Sequence, residues 1–457
     1  MNPDEGKVAA MDQVAADAPL AHDALPPPVY LPAADTLILY EGSLTATHEG
    51  VAHEVPGRVE LELKPSLRLA VSISGSEPWI SGAAFGSDEV EIAVPARVSL
   101  SPNSPGDEKP EPTGSHTTLR PLVNRLTAGD IGAADQILLS VFGRLPSDHR
   151  LERDGSFSLN LEGWTADVVA IDIDETVDHG MSVYVRARPA ALPITAKSVD
   201  QLRETLYFVF SLAASREIGV GPAAGLDSAG AVVWADWFAP RHRPGKAGIR
   251  WCPDWGGGPV LQDLVDGFSG LGSDAALIAA SKRSTNMLLT ADGSEVLDVR
   301  ILIGCNGLEL LSWAVLQRHG WLTAEALDKA TAATSLRLLL QWAEIPIEIP
   351  DHFEALNARR ARLGKADWAG PETLFSVRNR LVHPPKRIDS PLSPSSRELV
   401  ESWQLTTWYL ELALLRVLEY RGHYWCRLRL GRWAGENEPV PWALLSHDDG
   451  PAEGSAS

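Results

Sequence analysis

Pro371-Glu372-Thr373-Leu374-Phe375-Ser376-Val377-Arg378-Asn379-Arg380-Leu381-Val382-His383-Pro384 reads as a complete helix with its stop signal. Pro371 suits a first helical turn, where its missing N–H costs nothing. Pro384 pushes the residue before it out of the helical region, so the helix should end near Val382. The last turn holds two arginines and a histidine. Arginine is always charged and presents a planar fork of donors matched to phosphate oxygens. Histidine accepts and returns a proton near neutral pH.

Outward from this helix the chain reads as a helical bundle. Further helices are expected near Asp274–Arg283, Val296–His319, Ala324–Glu344, Phe353–Leu363 and Arg397–Arg421. Gly320 stops the second of these. Ser395 and Glu398 form a capping box for the last, which carries Leu399, Trp403, Leu410, Leu414 and Val417 on one stripe. Residues 285–430 are therefore assigned to an all-α bundle.

Before it, strand signals dominate. Val59, Leu61 and Leu63 alternate with charged residues, as do Leu67, Leu69, Val71 and Ile73 with Arg68, Ala70 and Ser72. Other strands are expected at Leu37–Tyr40, Glu89–Leu100, Ser156–Leu161, Ala166–Ile173 and Ser182–Ala187, with a Pro- and Ser-rich loop at Ser101–His116. The expected organisation is α+β and multidomain. It comprises a disordered lead (1–30), a sandwich-like β-rich domain (31–195), a mixed connecting region (196–284), the bundle, and a C-terminal segment with a disordered tail (431–457). The mixed region holds a helix at Val199–Ser215 and strands at Val232–Phe238 and Gly248–Trp251.

With 457 residues, 44% hydrophobic, several cores are affordable. No uninterrupted apolar run of membrane-spanning length stands out and no signal peptide opens the chain, so a cytoplasmic protein without a membrane role is expected. Three scattered cysteines offer neither metal nor redox spacing. The net charge of −20 opposes nonspecific nucleic-acid binding. From Glu295 to Arg429, however, 17 Lys and Arg face 16 Asp and Glu. Arg359, Arg360, Arg362 and Lys365 precede the arginine–histidine helix, and Lys386 and Arg387 follow it. With Arg380, they read as a phosphate-guiding rim, set against the plainer possibility of a solvated charged surface.

Arginine and histidine without a metal suffice for one reaction, in which the RNA 2′-hydroxyl attacks its own phosphodiester. Histidine moves protons and arginine stabilises the charge on the phosphorane, and the need for a 2′-OH restricts the reaction to RNA. Geometry sets a condition, because residues five apart on a helix point about 140° away from each other. Either His383 swings at the helix end, or a second subunit completes the site across a two-fold axis.

Arg378, Asn379 and His383, with Gly304-Cys305-Asn306-Gly307-Leu308-Glu309 in an early bundle helix and a long closing helix through Tyr420, resemble the HEPN domain (higher eukaryotes and prokaryotes nucleotide-binding). The layout as a whole looks like large HEPN proteins of antiphage systems, such as the ApeA family. The resemblance implies a homodimeric, metal-independent, cofactor-free endoribonuclease leaving 2′,3′-cyclic phosphate ends. Arg378 and His383 would then be catalytic, Asn379 would orient them, and Glu309 would support Arg378 from behind. It also implies an RNA substrate and a front domain that senses a phage-derived trigger. The alternative is a HEPN bundle that binds RNA or dimerises without cutting.

A second motif, Asp172-Ile173-Asp174-Glu175-Thr176, mimics the nucleophile strand of haloacid-dehalogenase-like phosphatases, but the doubly wound α/β series of that fold is missing. Gly219-Val220-Gly221-Pro222 has the wrong context for a nucleotide loop. Trp234, Trp237, Trp251, Trp255, Trp425, Trp433 and Trp442 read as core and seam residues, and Tyr424–Trp442 is expected to pack back onto the front domain.

Overall fold

The computed structural model describes residues 36–48, 51–63, 67–75, 90–93, 117–119, 122–123, 125–146, 155–171, 181–243, 251–253, 257–383, 393–429 and 436–443. The expected lead, the Ser101–His116 loop, most of the C-terminal tail, Asp172 and Asp174, Trp255 and Trp433, and Lys386 and Arg387 lie outside them.

Two antiparallel sheets form the front of the molecule. The first contains β1 (Thr36–His48), β2 (Val51–Glu62), β3 (Arg68–Gly75), β4 (Val90–Ala93), β5 (Thr117–Leu119) and β6 (Leu122–Val123), in the order β4-β1-β2-β3-β5 with β6 also on β3. The alternation in β2 and β3 sends Val59, Leu61, Leu69 and Val71 into one face, with Leu61 opposite both Leu37 and Leu69. The second sheet runs β7-β13-β12-β8-β11-β10-β9. Its strands are β7 (Arg125–Gly129), β8 (Gln136–Phe142), β9 (Ser156–Leu161), β10 (Trp164–Ala170), β11 (Met181–Pro189), β12 (Gly219–Leu226) and β13 (Val232–Phe238).

The second sheet is covered on both faces. Leu138, Phe142, Tyr184 and Trp237 pack against the first sheet, the Trp237 and Tyr40 rings lying 6.0 Å apart. Ile137, Leu139, Val141, Val183 and Val185 point the other way, into the core they share with the helices. A strand buried on both sides loses its polar alternation, so Ile137-Leu138-Leu139-Ser140-Val141-Phe142 carries no period-two signal. Helix α1 (Ala196–Ala214), capped by Thr195, contributes Leu206, Val209 and Phe210 to that second face.

The mixed region expected at 196–284 is corrected here. Its strands β12 and β13 complete the second sheet, β12 pairing with β8, so no boundary falls near residue 195. Hydrogen bonding along β8 joins segments on both sides of α1, which no local pattern announces.

The helices that follow are α2 (Gly257–Gly270), α3 (Ala275–Gly293), α4 (Leu297–Arg318), α5 (Ala324–Lys329), α6 (Ala332–Trp342), α7 (Glu354–Arg362), α8 (Gly370–Val382) and α9 (Ser396–Val417). The expected helix Ala324–Glu344 is two helices, because Ala330 turns extended and the Thr331 hydroxyl, accepting from the Thr334 N–H, caps a new start at Ala332. The expected Asp274–Arg283 helix continues to Gly293. At the centre, α4 packs on α3, α6, α8 and α9. Gly304 and Gly307 permit the approach of α9: a Cβ on Gly304 would lie 2.6 Å from the Thr406 methyl, and one on Gly307 2.9 Å from Leu410. By length and composition α4 could cross a membrane; in this fold it is a bundle helix with 56% of its apolar window buried.

After α9 the chain returns across the seam between sheet and bundle. The Trp425 N–H donates to the Trp251 carbonyl at 2.6 Å, and Tyr424, Leu428, Val440 and Trp442 join the core of the helices and second sheet. Arg427 is buried between Glu411 of α9 (2.5 Å) and Asp292 of α3 (2.7 Å). Burial alone would lower its pKa; the two carboxylates reverse this and hold it charged.

Candidate functional site

The start of α8 is fixed by neighbours. Glu372 accepts from the Ala369 N–H at 3.1 Å and takes the Arg337 fork of α6 at 2.9 and 2.7 Å. Gly370 is required there, since a Cβ would meet the Tyr409 hydroxyl at 2.1 Å and the Ile347 carbonyl at 2.9 Å. Leu374, Phe375 and Val377 are buried. At the other end the His383 N–H donates to the Asn379 carbonyl at 2.9 Å. The His383 backbone (φ −122°, ψ 76°) then leaves the helix, as its position before Pro384 requires.

Arg378 lies at the seam between α8 and α4. Its Nη2 is 3.2 Å from Glu309 Oε1, and its Nη1 donates to Asn379 Oδ1 at 3.2 Å. The Arg378 side chain is 23% exposed and that of Glu309 35%, so an anion can reach the guanidinium by competing with Glu309. One turn back on α4, the Cys305 thiol is pushed up to about 12, chiefly by burial; Thr406 and Arg378 oppose the rise and Glu309 adds to it.

His383 is exposed, and among the described residues its side chain makes no hydrogen bond or ion pair. It does not meet Arg378. The helix stays regular through Val382, which holds the two side chains on different faces. Within one subunit the structure thus brings together Arg378, Asn379 and Glu309 and leaves His383 apart.

The expected rim divides. Arg380 is half-buried and, among the described residues, makes no hydrogen bond or ion pair. Arg359 is corrected, because it is a core residue only 1% exposed. Its Nε donates to Ser376 Oγ at 3.0 Å and its Nη1 lies 3.4 Å from Glu398. Burial draws its pKa down against the pull of that carboxylate. Arg360 donates to the Trp368 carbonyl at 3.0 Å, and Arg362 pairs with Glu398 at 2.7 Å while its side chain stays 42% exposed. The Lys365 ammonium sits 5.9 Å from the centre of the Trp368 ring.

Buried acids of α9 impose this arrangement. Phe353 offers α7 no capping side chain. Glu401, 5% exposed, accepts the Ala355 and Leu356 N–H groups instead, at 3.2 and 2.8 Å. Glu398, foreseen only as the capping-box partner of Ser395, also holds Arg359 and Arg362. A capping pattern identifies such an acid, but the arginines it pairs with come from another helix. Elsewhere, a cavity of about 990 Å³ opens on the outer face of the first sheet beside Glu41, Arg58, Glu60 and Ser72, away from α8. Among the described residues, no group of three or more His, Cys, Asp or Glu is arranged to hold a metal ion.

No solved structure matches the chain. The SPbeta prophage-derived uncharacterized protein YopA of Bacillus subtilis (strain 168) is 25% identical over 251 residues, covering 54% of this chain and 54% of that protein. The chain thus spans about half the length of this curated relative. Residues 282–438, from within α3 to the segment after α9, match the family described as the YopA C-terminal domain, and Glu309, Arg378, Asn379 and His383 all fall inside that match.

Proposed function

We propose that the chain is a metal-independent endoribonuclease of HEPN type, acting as a homodimer in the cytoplasm. RNA would be cut by attack of its own 2′-hydroxyl, leaving 2′,3′-cyclic phosphate ends. Arg378 binds the scissile phosphate and stabilises its growing charge, Asn379 orients that guanidinium, and His383 moves the proton from the 2′-hydroxyl. The observation that carries this is the pairing of a seam-held, partly exposed Arg378 with an exposed imidazole on the same short helix. Because the two side chains diverge within one subunit, a two-fold partner would supply the complementary group. The Bacillus subtilis relative derives from a prophage, which fits a role in phage–host conflict; the activity would then serve antiphage defence, with the sheet domain receiving a phage-derived trigger. Incubating purified protein with mixed RNA and comparing it with His383→Ala tests the reading. Cleavage with cyclic-phosphate ends that is lost in the variant supports it, and a folded dimer that cuts no RNA with or without phage lysate overturns it.

A second reading rests on the Arg378–Glu309 pair at 3.2 Å. An arginine committed to a structural ion pair would leave a bundle that binds RNA or dimerises without cutting. Under this reading Arg378→Ala weakens the fold, and no RNA is cut by either protein.

A further inference from the structure

The C-terminal end of α4 carries a stack of planar groups that the proposed chemistry does not use. Arg416 of α9 lies with its guanidinium 5.6 Å from the rings of both Trp442 and Trp342, and Glu344 holds it at 3.0 Å. The His319 ring stands 5.4 Å from Trp342. Trp321 follows 5.3 Å from His319, with the two planes inclined by 33°. The series runs from a buried tryptophan to an indole that is 51% exposed. One face of this indole rests against His319, and the rest stays open.

We propose that Trp321 is a stacking platform for a base of single-stranded RNA. Every base presents a π-face, and aromatic side chains that hold single strands exploit this without sequence preference. Two neighbours favour RNA over an apolar partner. Arg318, 45% exposed, has only a 3.7 Å contact to Asp274 and is available to an adjacent phosphate. Trp313, 43% exposed, lies four residues after Glu309 and so on the same face of α4. From Glu309 to Arg318 the helix advances about 14 Å and turns half-way round, so the platform is a contact separate from Arg378. The proposal rests on the ribonuclease reading for its ligand, and its test is a binding measurement independent of cleavage.

The full-length His383→Ala protein is titrated into labelled oligoadenylate and oligouridylate, followed by fluorescence anisotropy. Adding Trp321→Ala should lower the affinity about tenfold, more for oligoadenylate. Trp321→Phe should restore most of it. The slope of log affinity against log salt should not change, because stacking releases no counterions. Sedimentation run in parallel should show an unaltered oligomeric state. Unchanged affinity in Trp321→Ala, no binding of either oligomer by the parent, or a loss that appears only with a change of oligomeric state would each overturn the platform. Cleavage by the protein with His383 intact, assayed separately, decides the nuclease reading whichever way the titration falls.

Discussion

Helices α7 and α8 lie close in sequence, both rich in arginine, yet they use it in opposite ways. In α7, Arg359 is taken into the core and balanced by Glu398 and Ser376. In α8, Arg378 stays partly exposed at a seam, and the half-buried Arg380 pairs with no carboxylate among the described residues. The difference comes from α9, whose buried Glu398 and Glu401 face α7, while α8 meets the sparser acid Glu309 of α4. An arginine cluster is therefore a rim only where no buried carboxylate faces it.

The sharpest break of the comparison is catalytic. His383→Ala should reduce RNA cleavage by about 10²–10⁴-fold, the usual worth of a general acid–base group. Its urea midpoint should hardly move, because the imidazole is exposed. Arg378→Ala should behave likewise in activity, with a modest loss of stability from its contact with Glu309. Loss of activity that simply tracks unfolding would return α8 to a structural role.

Arg359→Ala should do the reverse. It leaves Glu398 buried with only Arg362 beside it, costing about 3 kcal/mol by the measure of broken buried ion pairs, read by urea denaturation. Cleavage per folded molecule should stay near the parent value. Arg380→Ala comes next, with near-parent stability, weaker RNA binding, and a salt slope smaller by about one. An unchanged slope would remove Arg380 from the phosphate path.

The smallest effect concerns Cys305, on the α4 side of the seam. Its folded pKa, pushed up to about 12 by burial, lies above that of an ordinary thiol. The fold thus favours the protonated thiol, and this contribution is complete below pH 9 and lost as pH rises towards 12. The native thiol should resist alkylation near pH 8 and react once the protein is unfolded; rapid native labelling would mean the α4–α8–α9 seam opens.

Much of the bundle was legible because its signals are local. Pro371, Ser395 and Gly320 set helix ends within a residue or two, and the stripe of α9 identified a core helix. β8 and β12 were not legible. The first is buried on both faces and the second reads as Gly, Val, Pro and Ala, so neither shows alternation. Within the candidate site, residue type singled out Arg378 and His383, the HEPN resemblance suggested Asn379 and Glu309, and the structure adds that Arg378 and Glu309 touch. The Trp342–His319–Trp321 stack was missed, since its rings come from α4, the loop after it and α6.

By itself the sequence determined where helices start and stop, which strands have one wet face, and which residue types can bind phosphate and move protons. Those follow from backbone sterics, capping and side-chain chemistry, all encoded within a few positions. Only the tertiary structure decided which arginines are neutralised in the core, that the second sheet draws strands from both sides of α1, and that Arg378 meets Glu309 of α4. Each depends on what a distant segment places opposite a residue, and burial beside a carboxylate is a property of that pair.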